Sequence, residues 1–188
     1  MRIVGGTWRG RALAGVGKGD PAEHLRPTSD RVRESLFNML AHGRAAHDLD
    51  GARVLDLFAG TGALGLEALS RGADAALFVD SGRAAAALIA RNIALLGAEG
   101  RARHMTRNAT RLGQNPGAPY DLVFLDPPYG QDLGQKALSA AQDGGWIAPG
   151  ALIVWEEAAP QPAPPGFSVV DTRAFGQTHV TFLRFDAD

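Results

Sequence analysis

A short apolar run that ends in an acid-bearing, glycine-rich turn and passes at once into a helical pattern constrains this chain more than any other feature. Arg53-Val54-Leu55-Asp56-Leu57-Phe58 reads as a strand, Ala59 to Gly62 as a tight turn, and Leu64 to Ser70 as a helix stopped at Gly72. A strand joined so closely to a helix is half of a βαβ unit, and an apolar strand of this kind is buried only within a parallel sheet covered by helices. The alternation then repeats. Ala75 to Val79 is predicted as a strand, Arg83 to Leu96 as an Ala-rich helix stopped by Gly97, Ala102 to Thr106 as a strand and Tyr120 to Leu125 as a strand closed by two prolines. Leu133 to Ala141 reads as a helix and Ala151 to Trp155 as a strand. The closing runs, Phe167 to Arg173 and His179 to Phe185, have no helix between them and are expected to form an antiparallel hairpin. Ahead of this domain, expected over 45–188, lies a different pattern over 1–44. Residues 1–13 alternate weakly about Gly5-Gly6, which predicts a short β-hairpin, and Ala14 to Leu25 is a Gly-rich loop. A helix is expected from Pro27-Thr28-Ser29-Asp30 to Gly43. The expected architecture is an α/β, open, doubly wound sheet, mostly parallel with an antiparallel end, carrying an N-terminal hairpin-and-helix appendage.

The turn also carries chemistry. Gly60, Gly62 and Gly65 satisfy G-x-G-x-x-G, and Asp80 lies twenty residues past Gly60 at the end of the next strand. In a dinucleotide site such glycines bring the backbone close to a pyrophosphate, and the later acid binds ribose hydroxyls. Asp56 argues against a pyrophosphate: a carboxylate at the end of the first strand repels phosphate and opposes the helix N-terminus that would attract it. It suits a ligand with an ammonium group and no phosphate. S-adenosylmethionine has an amino-acid end, a sulfonium, a ribose and an adenine, so Asp56 is expected to face the ammonium and Asp80 the ribose. Asp80 also stands where it could cap the Arg83 helix.

The most specific stretch is Asp126-Pro127-Pro128-Tyr129, after the apolar Leu122-Val123-Phe124-Leu125. Two adjacent prolines remove two N–H donors and fix φ twice, leaving stiff carbonyl acceptors at the carboxyl end of the sheet, where ligands bind in such folds. With the Asp126 carboxylate they can accept both hydrogens of an exocyclic amine, and Tyr129 offers a face on which a base stacks. The lone pair of such an amine is delocalised into its ring. Accepting its hydrogens raises and aims that lone pair, and Asp126 can take the released proton.

Charge is uneven. The chain sums to −1, which by itself argues against a nucleic-acid partner, yet residues 1–44 hold eight basic and four acidic side chains, a net +4, and the remainder holds −5. Seventeen of the 19 cations are Arg, suited to bidentate phosphate contacts. Arg101, Arg103, Arg107 and Arg111, with His104, form a second acid-free island. The absence of cysteine excludes a disulfide scaffold, a Cys-ligated zinc, an iron–sulfur cluster and a thiol nucleophile. No histidine pair has metal-ligand spacing beside an acid cluster, so no metal is expected. With neither a signal-like apolar run nor a membrane-length one, the expected location is the cytoplasm, without membrane attachment.

These motifs together resemble class I S-adenosylmethionine-dependent methyltransferases that modify amino groups, a Rossmann-like fold carrying D/N-P-P-Y/F. More narrowly, the chain resembles the RsmD family of bacterial 16S ribosomal RNA (guanine-N2)-methyltransferases. The likeness spans Met1 to Arg11, Leu25 to Asn38, Leu55 to Ala73 and Phe124 to Tyr129. The resemblance implies an enzyme that binds S-adenosylmethionine through Asp56, Phe58, Ala59, Gly60, Thr61, Gly62, Asp80, Ser81, Asn108 and Ala109. It implies that Asp126, Pro127, Pro128 and Tyr129 receive a guanine, and that Arg2, Trp8, Arg9, Arg11, Arg26 and Arg31 contact RNA. The implied partner is 16S rRNA within an assembled or assembling 30S subunit, met by a monomer. Two positions depart from the family pattern: Asp80 stands where Glu is frequent, and Asn108 where Asp is frequent. The Asn108 carbonyl can still accept from the adenine amine, or it can serve a local turn.

Rival readings share parts of this pattern. A DNA adenine-N6 methyltransferase shares the motif but usually adds a target-recognition region. A protein-glutamine methyltransferase typically begins the motif with Asn. A binding module without catalysis leaves Asp56, Asp80 and Asp126 without purpose, and Asp56 disfavours a nicotinamide dehydrogenase. Glu156-Glu157 is expected to be a solvated strand end, Trp155 to pack, and Trp8 either to pack or to stack on RNA.

Overall fold

The computed structural model describes residues 1–15 and 29–186. Seven strands form one sheet in the order β3-β2-β1-β4-β5-β7-β6. They are β1 (Arg53–Leu57), β2 (Ala75–Asp80), β3 (Ala102–Thr106), β4 (Tyr120–Leu125), β5 (Ile147–Glu157), β6 (Phe167–Phe175) and β7 (Thr178–Phe185). The first five pair in parallel, while β7 pairs antiparallel with both β5 and β6. The helices are α1 (Asp30–His42), α2 (Ala63–Ser70), α3 (Arg83–Leu96) and α4 (Leu133–Asp143). The closing strands are thus the expected hairpin, with the last strand of the chain inserted beside β5 and β6 at the edge.

Period-two alternation in the buried strands divides the core between two faces. Val54, Phe78, Leu122, Phe124, Val154 and Phe182 point to the side covered by α1, α2 and α3. Leu55, Leu57, Val123, Leu125, Trp155 and Leu183 point to the side covered by α4 and the short turn at 109–111. Leu36, Phe37 and Leu40 of α1, with Ile3 and Leu13, belong to the first of these clusters, so the N-terminal segment shares its core with the sheet. The Phe37 and Phe124 rings stand 5.7 Å apart at a tilt of 49°. Ser29 caps α1 by accepting from the Val32 amide at 3.3 Å, and Gly43 ends it.

The N-terminal hairpin is slighter than expected. One antiparallel bridge, Arg2 to Ala12, closes the segment, and a 3-10 turn at Gly6–Trp8 replaces the Gly5-Gly6 hairpin turn. Its two arms still bond to each other, Leu13 N to the Met1 carbonyl at 3.1 Å, Ile3 N to the Arg11 carbonyl at 3.0 Å and Gly10 N to the Ile3 carbonyl at 2.8 Å, while the Val4 and Trp8 amides bond to α2. Val4 N donates to Glu67 Oε2 at 2.8 Å, Trp8 N donates to Ser70 Oγ at 2.9 Å, and Ser70 Oγ donates to the Gly5 carbonyl at 2.6 Å. Gly6 has φ +73°, and a Cβ there would collide with the Ser70 carbonyl, so glycine permits the turn to lie on α2. Most of the 14–25 loop and the Pro27-Thr28 helix start lie outside the described residues. Among the described residues no helix is long and apolar enough to cross a membrane.

Candidate active site

The glycine-rich turn leaves β1 in left-handed backbone. Phe58 has φ 60°, Gly60 56° and Gly62 77°, an unusual conformation for the non-glycine Phe58. Gly62 N donates to the Ala59 carbonyl at 2.7 Å, closing the turn, and Ala59 N donates to the Val79 carbonyl at 3.1 Å. Gly65 serves packing: a Cβ there would collide with the Phe78 ring and stand 3.1 Å from Asp56 Oδ2. Over Gly60 the space is open, the nearest atom to an added Cβ being the Phe58 carbonyl at 4.0 Å. Ala59, Thr61 and Gly62 are buried, and Phe58 is half-buried.

Asp56 is 2% exposed, and its Oδ2 accepts from the Gly65 amide at 2.9 Å. Burial pushes its carboxyl up to about 8; the Gly65 hydrogen bond works against that rise, and the Asp80 charge adds to it. Asp80 shapes the neighbouring turns: Oδ2 accepts from Gly60 N at 2.9 Å and Oδ1 from Gly82 N at 2.8 Å. Gly82, and not Asp80, occupies the cap position of α3. Ser81 is exposed beside it.

Asp126 follows β4. Its amide donates to the Leu57 carbonyl at 3.4 Å, which holds it against the end of β1. The register pairs Asp56 with Phe124 and Leu125 with Trp155. Asp126 therefore lies two residues past Asp56 on the same face, with Glu156 as its neighbour across β5. Burial raises the Asp126 carboxyl well above the ordinary carboxylate range, and the charges of Glu156, Asp56 and Glu157 raise it further. Pro127 is buried, Pro128 is exposed and Tyr129 is 41% exposed.

Tyr129 is tied down at its far end: Oη donates to Glu156 Oε1 at 2.9 Å and lies 3.1 Å from Thr178 Oγ1. Burial, and the nearby Glu156 and Asp126 charges, push its phenol above the usual range. Glu156-Glu157 is accordingly not the solvated strand end the sequence led us to expect. Glu156 is half-buried under the Tyr129 hydroxyl. Glu157 is 8% exposed, with Oε1 accepting from the Ala158 amide at 2.9 Å. A residue pair that reads as hydrophilic in sequence is drawn inward where β7 pairs alongside it, Val180 opposite Glu156 and His179 opposite Glu157.

Asn108 caps the short turn that follows β3. Its Oδ1 accepts from Thr110 N at 2.9 Å and Thr110 Oγ1 at 2.8 Å, so the local-turn use of this side chain is present and both lone pairs of the oxygen are engaged. Ala109 beside it is buried. His104, on the face of Asp80, is held below its ordinary value by burial, against the Asp80 charge.

The basic segment sorts into unlike roles. Arg33 is fully buried: Nη2 donates to Asp30 Oδ1 at 2.9 Å and to the Arg2 carbonyl, and Nε lies 3.5 Å from Glu67 Oε2. It ties α1 to α2 and adds nothing to the surface charge. Arg2, Arg9, Arg11 and Arg31 are exposed. Arg2 pairs with Asp30 at 3.3 Å, and Arg11 Nη2 donates to the Leu95 carbonyl. Trp8 packs partly against the core, with the Arg101 guanidinium 5.2 Å from its ring centre, joining the two basic islands. Arg26 lies outside the described residues.

Asn92, Glu67 and Arg33 were not singled out as connecting residues from sequence. Asn92 occurs at core spacing in α3, in step with Ala85, Ile89 and Leu96, and polarity at such a position is the signal that could have found it.

What the site can hold follows from its groups. Carboxylates of Asp56, Asp80 and Asp126 converge beside an open glycine turn, and among the described residues the buried Asp56 accepts from the Gly65 amide. A cationic ligand with donor groups fits this set, because it offsets the cost of ionising buried acids; a pyrophosphate does not. Comparison with known proteins agrees with the geometry. The family model described as conserved hypothetical protein 95 matches residues 1–184. Ribosomal RNA small subunit methyltransferase D of Escherichia coli K12 is 44% identical over 156 residues, 83% of this chain and 74% of the relative. The Haemophilus influenzae protein of the same name is 36% identical over 159 residues, 83% of this chain and 78% of the relative. The solved structure of the Escherichia coli protein yhhF superposes with a TM-score of 0.84 at 39% identity, covering 100% of this chain and 99% of that one. By fold, by motif and by identity over most of its length, the chain belongs to the RsmD family, the ribosomal RNA small subunit methyltransferase D proteins.

Proposed function

We propose that this protein methylates the exocyclic N2 amine of a guanine in 16S rRNA, using S-adenosylmethionine. The observation that carries the reading is the placement of Asp56 and Asp126, two acids on one face at the ends of adjacent parallel strands, one beside the glycine turn and one beside the stiff Pro-Pro acceptors. The names of the relatives support the RNA substrate.

When bound, S-adenosylmethionine supplies an electrophilic methyl on a sulfonium. Asp56 would hold its ammonium, directly or through water, and Asp80 its ribose hydroxyls. Phe58, Ala59, Gly60, Thr61 and Gly62 would allow close backbone approach, and Ser81, Asn108 and Ala109 would border the adenosine end. With the Asn108 carbonyl engaged by Thr110, recognition of the adenine amine would fall more on backbone than on this side chain. Asp126 and the Asp126–Pro127 carbonyls would accept the two hydrogens of the guanine amine, while Tyr129, fixed by Glu156 and Thr178, would present its ring for stacking. Methyl transfer to the amine would release one of its protons, and Asp126 would receive it. Its raised affinity for protons makes it a better base than an exposed carboxylate.

Residues 1–44 would serve as an RNA-facing surface built on the shared core. Arg2, Arg9, Arg11, Arg31 and Trp8 lie within the described residues and Arg26 outside them. A monomer acting in the cytoplasm on an assembled or assembling 30S subunit completes the reading. The test is labelled methyl transfer to small subunits lacking the modification, to naked 16S RNA and to DNA, compared side by side, followed by mapping of the modified base. Guanine N2 in ribosomal RNA is expected. Transfer to adenine in DNA, or no transfer to any of the three, overturns the reading.

A further inference from the structure

We infer that Glu156 determines base specificity: its carboxylate accepts from the ring N1–H of the target guanine while Asp126 accepts from the neighbouring N2 amine. This rests on the guanine-methylation reading and adds to it the reason a guanine, and not another amino base, is accepted.

Four observations meet at Glu156. The β4–β5 register, Phe124 with Val154 and Leu125 with Trp155, makes Asp126 and Glu156 cross-strand neighbours on one face. Adjacent strands lie about 4.8 Å apart, the scale of one base edge, and the Glu156 charge acts on the Asp126 carboxyl. The Tyr129 hydroxyl donates to Glu156 Oε1 at 2.9 Å, so the aromatic face and this carboxylate are held as one unit. A base lying on the Tyr129 ring with its amine toward Asp126 directs the next group of its edge toward Glu156. Thr178 Oγ1, 3.1 Å from the same hydroxyl, fixes the unit from β7. The electrostatics agree independently, since the Glu156 charge is among the influences that raise the Asp126 carboxyl.

An ionised carboxylate only accepts hydrogen bonds. Guanine places two donors next to each other on this edge, the N2 amine and N1–H. Adenine and cytosine place beside their amine a ring nitrogen that itself accepts. Opposed to Glu156, that lone pair meets a negative charge and is left unsatisfied, which rejects the wrong base by repulsion as well as by a lost bond. One acceptor set at Asp126 suits any amino base; the Asp126–Glu156 pair suits guanine.

The experiment uses the full-length protein and 16S RNA, assembled into subunits where assembly is required, carrying either guanine or 2-aminopurine at the mapped position. 2-Aminopurine keeps the amine and replaces N1–H by an acceptor. The natural enzyme is expected to prefer guanine by about 10–100-fold in kcat/KM, the range of a hydrogen bond to a charged group. In Glu156→Gln that preference is expected to collapse, because the amide N–H can donate to the bare ring nitrogen, with affinity for S-adenosylmethionine unchanged. Equal use of the two bases by the natural enzyme overturns the inference without any variant, and so does a preference that Glu156→Gln leaves intact. Should Glu156→Gln not fold, Glu156→Asp takes its place, expected to lower turnover on guanine while keeping the preference. Mapping separates the two failures: a methyl placed elsewhere than guanine N2 removes the proposed function and this inference with it, whereas a guanine-N2 product with a flat analogue ratio removes the inference alone.

Discussion

Asn92 donates through its side-chain amide to the Thr61 carbonyl at 2.9 Å, joining the middle of α3 to the glycine-rich turn. The same buried side chain donates to the Ala14 carbonyl at 3.1 Å and accepts from the Ala14 amide at 2.7 Å. One amide therefore holds both the turn proposed to bind the cofactor and the N-terminal segment at Ala14. Asn92→Ala strands these backbone groups, so it should lower stability by about 1–3 kcal/mol. It should also weaken S-adenosylmethionine binding. Urea midpoints and calorimetry check the two effects.

Asp126→Ala removes the proposed acceptor of the amine and leaves the glycine turn untouched. Methyl transfer should fall by at least about 100-fold, the lower range for loss of a general base, with cofactor affinity nearly unchanged. Single-turnover transfer alongside binding calorimetry separates the two, and near-normal turnover would refute the assigned role.

The pH dependence of cofactor binding follows from Asp56, whose folded value is raised from 3.8 to about 8. Between these values the folded protein binds more protons than the unfolded chain. This carboxyl therefore favours folding at acid pH, and its contribution declines as pH rises from about 4 to about 8. A cationic ligand favours the ionised form. S-adenosylmethionine affinity should rise with pH toward 8 and then level off, with proton release on binding near pH 7. Titrations in buffers of unlike ionisation enthalpy measure that release directly; a flat affinity profile would remove Asp56 from the cation site.

Arg33 and Glu67 are both fully buried and 3.5 Å apart, and Glu67 also binds Arg71 at 2.8 Å and the Val4 amide. Removing one member of such a group leaves a buried charge poorly compensated. Arg33→Met should destabilise the protein by about 3–5 kcal/mol. Chemical denaturation reads the loss, and a change below about 1 kcal/mol would show that the pair is solvated in solution.

Replacing Arg2, Arg9 and Arg11 together should weaken RNA binding and reduce the slope of log K against log salt by about two. Binding measured across a salt series tests this. An unchanged slope would assign these arginines to solvent alone.

Most of the element order was legible in the sequence because each element carries its own punctuation. Gly43, Gly72 and Gly97 end the first three helical patterns, and two prolines close the fourth strand. The elements that strayed are those whose backbone bonds are spent far away in the chain. In residues 1–13 the arms of the hairpin pair, but its tip is a 3-10 turn laid on α2, where Glu67 and Ser70 accept from the amides of Val4 and Trp8. β5 begins at Ile147, ahead of the expected Ala151, because Tyr120 pairs with Ile147 across a register shift that spans Pro149 and Gly150.

The sequence by itself determined the parallel βα architecture, the glycine turn between Asp56 and Gly65, and the stiff Asp126-Pro127-Pro128-Tyr129 stretch that closes β4. Each depends on residues close together in the chain, through apolar period, backbone freedom and the missing donors of proline. Only the tertiary structure decided which charges reach the surface and which carboxylates meet. Arg33 counts as basic in any sum over residues 1–44, yet it is buried against Glu67. Glu156 reads as a solvated strand end, yet it lies beside Asp126 under the Tyr129 hydroxyl. Burial and partnership of a charge are set by strand order and helix packing between residues tens of positions apart, and no local pattern encodes them.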